Sequence, residues 1–392
     1  MPLSNEDSLR LNVMMAQKPK AIRIDDSKMI VYALTDKGEA KIQLNPNTRE
    51  DRYLKEVREL LSTHFLGSPG GYPVYLRRWT RMGQKRDDES LERLLLLGEP
   101  EAVVAVVHAE TLSDEIAAKA WWAMPTADNA RSMLQHEEVV RGETGPRLAE
   151  YLVEFLPFEE EQWKIAESIR LVLQPGLISE AEREKLWKQG KRKTTYLLGF
   201  IAADPDNLPE QGAESPLLAP HREALESLAA EGNRYARQLL RLLSPAGQAF
   251  LETLAQVIRK PYNQDVVVNY LRVIERYFAD TRPEIAPERG INNTRLYEDE
   301  GSDVDMRTLI QRAEDYCAGA DNAEVAAVLE ACPDLADALR AVVALSMVNE
   351  LVVNPIFART DAIGTVMRKK LEPVSGPILD LMGTLQGKKS LR

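Results

Sequence analysis

The sequence is poor in the residues that carry most protein chemistry. It has two cysteines, Cys317 and Cys332, in 392 residues. That excludes a disulfide framework, and their separation excludes a Cys-x-x-Cys redox pair, so both are expected as buried reduced thiols. The four histidines, His64, His108, His136 and His221, are scattered. None forms His-x-x-x-His, and a metal site needs three or four converging donors. His136 followed by Glu137 and Glu138 comes nearest to a ligand set. No metal and no cofactor are expected.

Positive charge is also in deficit. Lys and Arg total 50 against 61 Asp and Glu, for a net charge of −11 and a pI near 5.2. Such a chain repels nucleic acid and anionic lipid in general, although a local basic patch can still bind. No long run is uniformly apolar. The most apolar stretch, 336–358, is interrupted by Arg340, Asn349, Glu350 and Asn354. It reads as a buried helix and not as a membrane span. The opening "MPLSNEDSLRLNVMMAQ" carries acids where a secretory signal needs a basic region. A cytoplasmic protein without a membrane segment is expected.

Catalytic motifs are missing as well. There is no Gly-x-Ser-x-Gly elbow and no legible Ser/His/Asp order. The glycines of "LGSPGGYPVYLRRWTRMGQKR", 66–86, suggest a phosphate loop. A Walker loop, however, needs Gly-Lys followed by Ser or Thr, and Pro69 and Pro73 remove two N–H donors. The stretch reads as a structural turn, and the chain as a non-enzyme.

What is present is a rhythm. Short runs around 21–24, 29–34 and 40–44 are separated by Asp25-Asp26-Ser27 and Asp36-Lys37-Gly38, the signature of a small antiparallel meander. A helix is expected over 49–64. From Ser90 onward, amphipathic segments follow one another, each closed by Pro, Gly or a polar turn. Pro100 suits a first helical turn, Ser113 an N-cap, and Ser179 with Glu182 a capping box. No strict motif repeats. The expected fold is mainly α: an irregular α-solenoid or HEAT-like helical array with an N-terminal β meander, an irregular bundle being the competing arrangement. The expected divisions are a small α/β domain over 1–87, helical segments over 88–204 and 205–282, an acidic loop over 283–305, and a helical segment over 306–392. The Pro- and Gly-rich stretch 204–220 is the expected break.

Three basic groups are candidates for contact with a partner. Arg77, Arg78 and Arg81 surround Trp79, an interleaving that can stack bases or neutralise phosphates. Asp87, Asp88 and Glu89 follow at once and offset that charge. Lys191, Arg192 and Lys193 form the second group, near a helix C-terminus, where cations favour the helix dipole. The third lies in "FARTDAIGTVMRKKLEP", with Arg359, Asp361, Arg368, Lys369 and Lys370, and suits either a partner contact or the polar cap of a helical array.

Several phrases carry a family resemblance. "LGSPGGYPVYLRRWTRMGQ", "LLLLGEPEAVVAVVHA", "AWWAMPTADNAR", "LQPGLI", "NQDVVVNYL" and "VNPIFARTDAIGTVMRKKLEPV" together resemble the DsrS family. These are the sulfur reduction proteins encoded with the reverse-acting dissimilatory sulfite reductase system of sulfur-oxidising bacteria. The resemblance runs from about Asp7 to Pro377, without a counterpart for 283–305. It implies a soluble cytoplasmic accessory or regulatory factor for oxidation of stored sulfur; the helical array, with its extended surfaces, adds the expectation that it acts by binding a protein partner of that machinery. It supplies no catalytic residues. A nucleic-acid-binding regulator of sulfur-oxidation genes remains the alternative.

Overall fold

Alternation of buried and exposed residues begins in the strands β1 (Ala21–Asp25), β2 (Ile30–Thr35) and β3 (Gly38–Gln43). They pair antiparallel in the order β1-β2-β3, with Ala21 opposite Leu34 and Thr35 opposite Gly38. Asp25 Oδ1 closes the first turn by accepting from Ser27 Oγ at 2.7 Å and Lys28 N at 3.0 Å. The structure, a computed structural model, describes residues 3–67, 88–283, 305–319, 322–359 and 363–388. Apart from this meander the chain is mainly helical, as the pattern predicts. Two compact units divide it, Met1–Pro157 with Gln174–Ile178, and Phe158–Leu173 with Ser179–Arg392. The segment 88–204 therefore contributes to both. Of the acidic stretch 283–305, all but the end residues lies outside the described residues.

In the first unit, helices α1 (Asn5–Ala16) and α2 (Glu50–Leu66) contribute to one core with the sheet. Leu11, Met14 and Met15 meet Ile22, Val31, Ala33, Tyr53, Val57 and Leu61 there. The sequence reading gave α1 no helix. Its start is nevertheless written in Ser4, whose Oγ accepts from Asp7 N at 3.2 Å, with Glu6 and Asp7 in the first turn. Asp7 is fully buried. Its Oδ2 accepts from the Tyr53 hydroxyl and from Asn45 N, tying α1 to α2 and to the end of the meander. The break before Pro100 is required sterically. Gly98 has φ +63°, and a Cβ there would come within 2.8 Å of Ile24 Cγ1.

Ser113 does precede a helix, Asp114–Ala123, but its side chain makes no capping bond. Its neighbour Asp114 caps a different helix instead. The Asp114 carboxylate accepts from Glu143 N at 3.0 Å and Thr144 N at 3.1 Å, at the start of Thr144–Phe155. Gly142 leaves the space, since a Cβ there would fall 2.1 Å from Asp114 Cγ. The expected capping box at Ser179 and Glu182 is present with both bonds.

In the second unit neighbouring helices pack in chain order, and further contacts cross the sequence. Helix Ala336–Ser346 packs against Arg234–Leu243, Gln264–Tyr277, Met306–Ala318 and Gly364–Leu385. The apolar stretch 336–358 is not one helix. Asn349 interrupts it by accepting from Leu351 N at 2.9 Å, which starts a 3₁₀ turn over Glu350–Val353 and then the short helix Asn354–Phe357. Gly364–Leu385 runs on through Pro373 and Pro377, whose missing N–H groups leave out two intrahelical bonds.

The stretch 204–220, read as a break, lies within this unit and is pinned to it. Gly212 N donates to Pro245 O and Ser215 N to Leu243 O, each at 3.0 Å. Ser215 Oγ donates to Leu385 O at 3.2 Å, and Gln248 Nε2 to the same carbonyl at 3.3 Å. Arg241 holds the start of the stretch. Its Nε donates to Asp206 Oδ1 at 2.9 Å and its Nη2 to Oδ2 at 2.6 Å. Its guanidinium lies 3.8 Å over the Tyr277 ring, which stacks on Phe250.

Two outcomes are expected. Asp114→Ala should lower stability in urea denaturation by about 1–3 kcal/mol, because it strands two helix-end N–H groups. Arg241→Ala should cost about 1–2 kcal/mol, from one half-exposed ion pair and one cation–π contact. That loss should raise the limited-proteolysis rate within 204–220 by about tenfold, the stretch being protected in the wild-type protein.

Candidate functional site

The alanines of helix 336–346 recur at Ala338, Ala341 and Ala344, a spacing that places them along one side of the helix. They form the floor of a groove of about 910 Å³ in the second unit. Ile310 and Glu314 enter it one helical turn apart from Met306–Ala318, a helix whose N-cap Asp305 accepts from Thr308 N at 2.8 Å. Pro377, Asp380, Leu381 and Thr384 enter from Gly364–Leu385 at the same helical periodicity. Asp334, in the 3₁₀ turn Pro333–Leu335, and Leu217 complete the wall.

Four carboxylates, Glu314, Asp334, Asp337 and Asp380, line the groove against two cations, Arg340 and Lys388. Arg340 Nη1 is already held by Asp337 at 2.6 Å, and Lys388 Nζ donates to Gln386 Oε1 at 2.8 Å. The side chains of Glu314, Asp334 and Asp380 are exposed and have no partner among the described residues. Carboxylates such as Glu252 and Glu330 also stand alone, but they do not line the groove; these three reach it from three separate elements. Elsewhere in the unit, Glu210, Glu275, Glu324 and Glu350 each hold an arginine or lysine.

The basic candidates stand differently. Arg77, Arg78, Trp79 and Arg81 lie outside the described residues, as does Asp361. Lys191 Nζ pairs with Glu210, and Lys193 Nζ lies 5.8 Å over the Tyr196 ring. Arg192 is exposed beside them. Arg359 and Lys369 are exposed, and Arg368 Nη2 donates to Thr365 Oγ1 at 2.8 Å. Lys370 is also exposed. Helix Glu180–Gly190, leading into the 191–193 group, packs on Thr194–Ala203. Helix 364–385, carrying the 368–370 group, packs instead on Pro245–Arg259, 306–318 and 336–346. The structure thus gathers acids into a groove, whereas the two basic groups stand at different helices, related only through Pro245–Arg259, on which both Thr194–Ala203 and 364–385 pack.

Sequence reasoning missed the groove, and also a serine–histidine pair in the first unit. Ser132 Oγ lies 3.1 Å from His108 Nε2, while His108 Nδ1 lies 2.9 Å from Val104 O. Only an N–H can face that carbonyl, so Nδ1 carries a proton and Nε2 is the nitrogen placed to accept from the serine hydroxyl. This is how a general base holds a hydroxyl. The orienting group is a backbone carbonyl, however, and the ring is exposed. A separation of 24 residues in sequence gave no signal. Trp122 is half-buried: its ring lies under the Arg23 guanidinium at 4.9 Å and its Nε1 donates to Glu39 Oε2 at 3.1 Å.

Among the described residues, no three His, Cys, Asp or Glu side chains gather as a metal site, and no helix is long and apolar enough to cross a membrane. Cys317 and Cys332 are free and buried. Burial pushes the Cys317 thiol up to about 11, against a slight pull downward from Arg340, and burial raises Cys332 as well. Neither is a thiolate nucleophile at neutral pH. Compared with known proteins, the chain matches no family model, no curated protein and no solved structure.

Burial also raises Tyr235, Tyr270 and Tyr277. All these groups keep their protons in the folded chain at a pH where the unfolded chain has released them. The Cys317 contribution is therefore complete below the usual thiol value of 9.0 and is lost as pH rises through about 11, whereas that of the tyrosines is complete below 10.0 and is lost only at higher pH. Chemical denaturation should show stability from these groups unchanged up to about pH 9 and falling steadily above it. Ellman titration at pH 8 should find neither thiol in the native protein and both in guanidinium.

Proposed function

We propose that the protein is a cytoplasmic accessory factor of dissimilatory sulfur oxidation, which acts by holding a protein partner on its helical scaffold and carries out no chemical step of its own. The observation that carries the partner-binding part is the groove of the second unit, where small side chains form a floor and unpaired carboxylates stand on the walls. An open surface with unspent charge suits recognition by another chain. The sulfur-oxidation part rests on the resemblance of the quoted phrases to the DsrS family. No cofactor is needed for this role.

The nucleic-acid alternative fits less well. A chain of net charge −11 repels a phosphate backbone, and Lys191, in the second basic group, is committed to Glu210. The decisive experiment is affinity capture from extract of sulfur-grown cells, in RNase-treated and untreated arms. The expected result is one protein partner retained in both arms. Capture that disappears with RNase would favour the nucleic-acid reading, and capture of neither protein nor RNA would overturn both.

A further inference from the structure

We propose that the groove floored by Ala338, Ala341 and Ala344 docks a lysine- and arginine-rich amphipathic segment of the partner protein. This rests on the partner-binding reading and names the chemistry of the segment that the groove takes.

Three properties of the groove point to such a segment. Ala338, Ala341 and Ala344 at its base project only a methyl group and are themselves buried, which leaves about 910 Å³ open between the walls. Leu217, Ile310 and Leu381 are each only half-buried and add apolar surface beside that floor. Its charge is negative on balance: Asp337 already neutralises Arg340, and against the remaining cation, Lys388, stand three carboxylates, Glu314, Asp334 and Asp380, unpaired among the described residues. A lysine or arginine satisfies both surfaces at once, because its methylene stem lies along apolar groups while its charged end reaches a carboxylate. An amphipathic segment presents such residues at helical intervals and lays its apolar stripe against Leu217, Ile310 and Leu381. The same carboxylates repel phosphate, which argues against nucleic acid in this groove. Because they come from three separate elements, they specify the segment's placement as well as its sign.

The test is fluorescence anisotropy on the full chain, using a labelled amphipathic lysine–leucine peptide and a glutamate–leucine peptide of the same pattern. The lysine peptide should bind saturably and more weakly as salt rises, and the glutamate peptide should not bind. The combined variant E314Q/D334N/D380N should weaken binding by about tenfold, the sum of three exposed charge contacts. The control variant E223Q/E252Q/E330Q removes the same charge from elsewhere in the unit and should change affinity less than about twofold. All substituted side chains are exposed, so both variants should match the wild-type circular dichroism melt. Equal losses in the two variants would reduce the effect to general acidity and overturn the proposal, as would the absence of saturable binding. Capture of a protein partner equally by wild type and by E314Q/D334N/D380N would overturn the groove assignment while leaving the scaffold reading intact. Peptide binding as described, with no protein captured from extract, would keep the cationic-segment site and remove the scaffold reading.

Discussion

The second unit depends on how closely helices can approach Ala336–Ser346. Ala338, Ala341, Val342, Val343, Ala344 and Leu345 are all buried, and helices from four separate parts of the sequence lie against them. Enclosure on that scale requires small side chains where a neighbour crosses and branched ones where space must be filled. The alanine side meets both limits. It admits helices 306–318 and 364–385, and where those two do not close over it, a groove is left. Core packing and the open surface are thus consequences of one choice of side-chain volume.

Charge is distributed by a related logic. Irregular segments are fixed by charged groups reaching across sequence: Asp114 to the start of 144–155, Arg241 to Asp206, and Arg234 to Glu324. Each places a carboxylate where it accepts backbone N–H groups or faces a guanidinium, so desolvation is offset by defined partners. Glu314, Asp334 and Asp380 of the groove are the reverse case. They stay in solvent, impose little cost on folding, and keep their full hydrogen-bonding capacity for another molecule.

The legible parts of the sequence were the local ones. Strand alternation, the Ser179–Glu182 box and Pro100 at a first turn each depend on residues a few positions apart, and each appears where expected. Helix α1 was also legible in Ser4 and Asp7, but its acids were weighed only against a secretory signal. The stretch 204–220 looked like a break because proline and glycine mark turns, whereas its anchors, Arg241, Pro245 and Leu385, are remote in sequence. The groove was hidden for the same reason. Alanines three apart resemble any core helix, and Glu314, Asp334 and Asp380 resemble ordinary solvated acids until three elements bring them together. Basic clusters are compact in sequence and legible there, whereas these acids are dispersed along it.

The carbonyl of Leu385 accepts from both Ser215 and Gln248, residues made long before it. Contacts of this span cannot form until both ends of the unit have been made, so they have a direction in time. As the chain leaves the ribosome, the first unit can close its sheet and its α1–α2 core early. The second must wait with helix 234–243 partly uncovered until helix 336–346 emerges, and with 245–259 partly uncovered until helix 364–385 does. A nascent chain in that interval exposes apolar surface that the finished protein hides, so its yield in the cell depends on how quickly translation delivers that last helix.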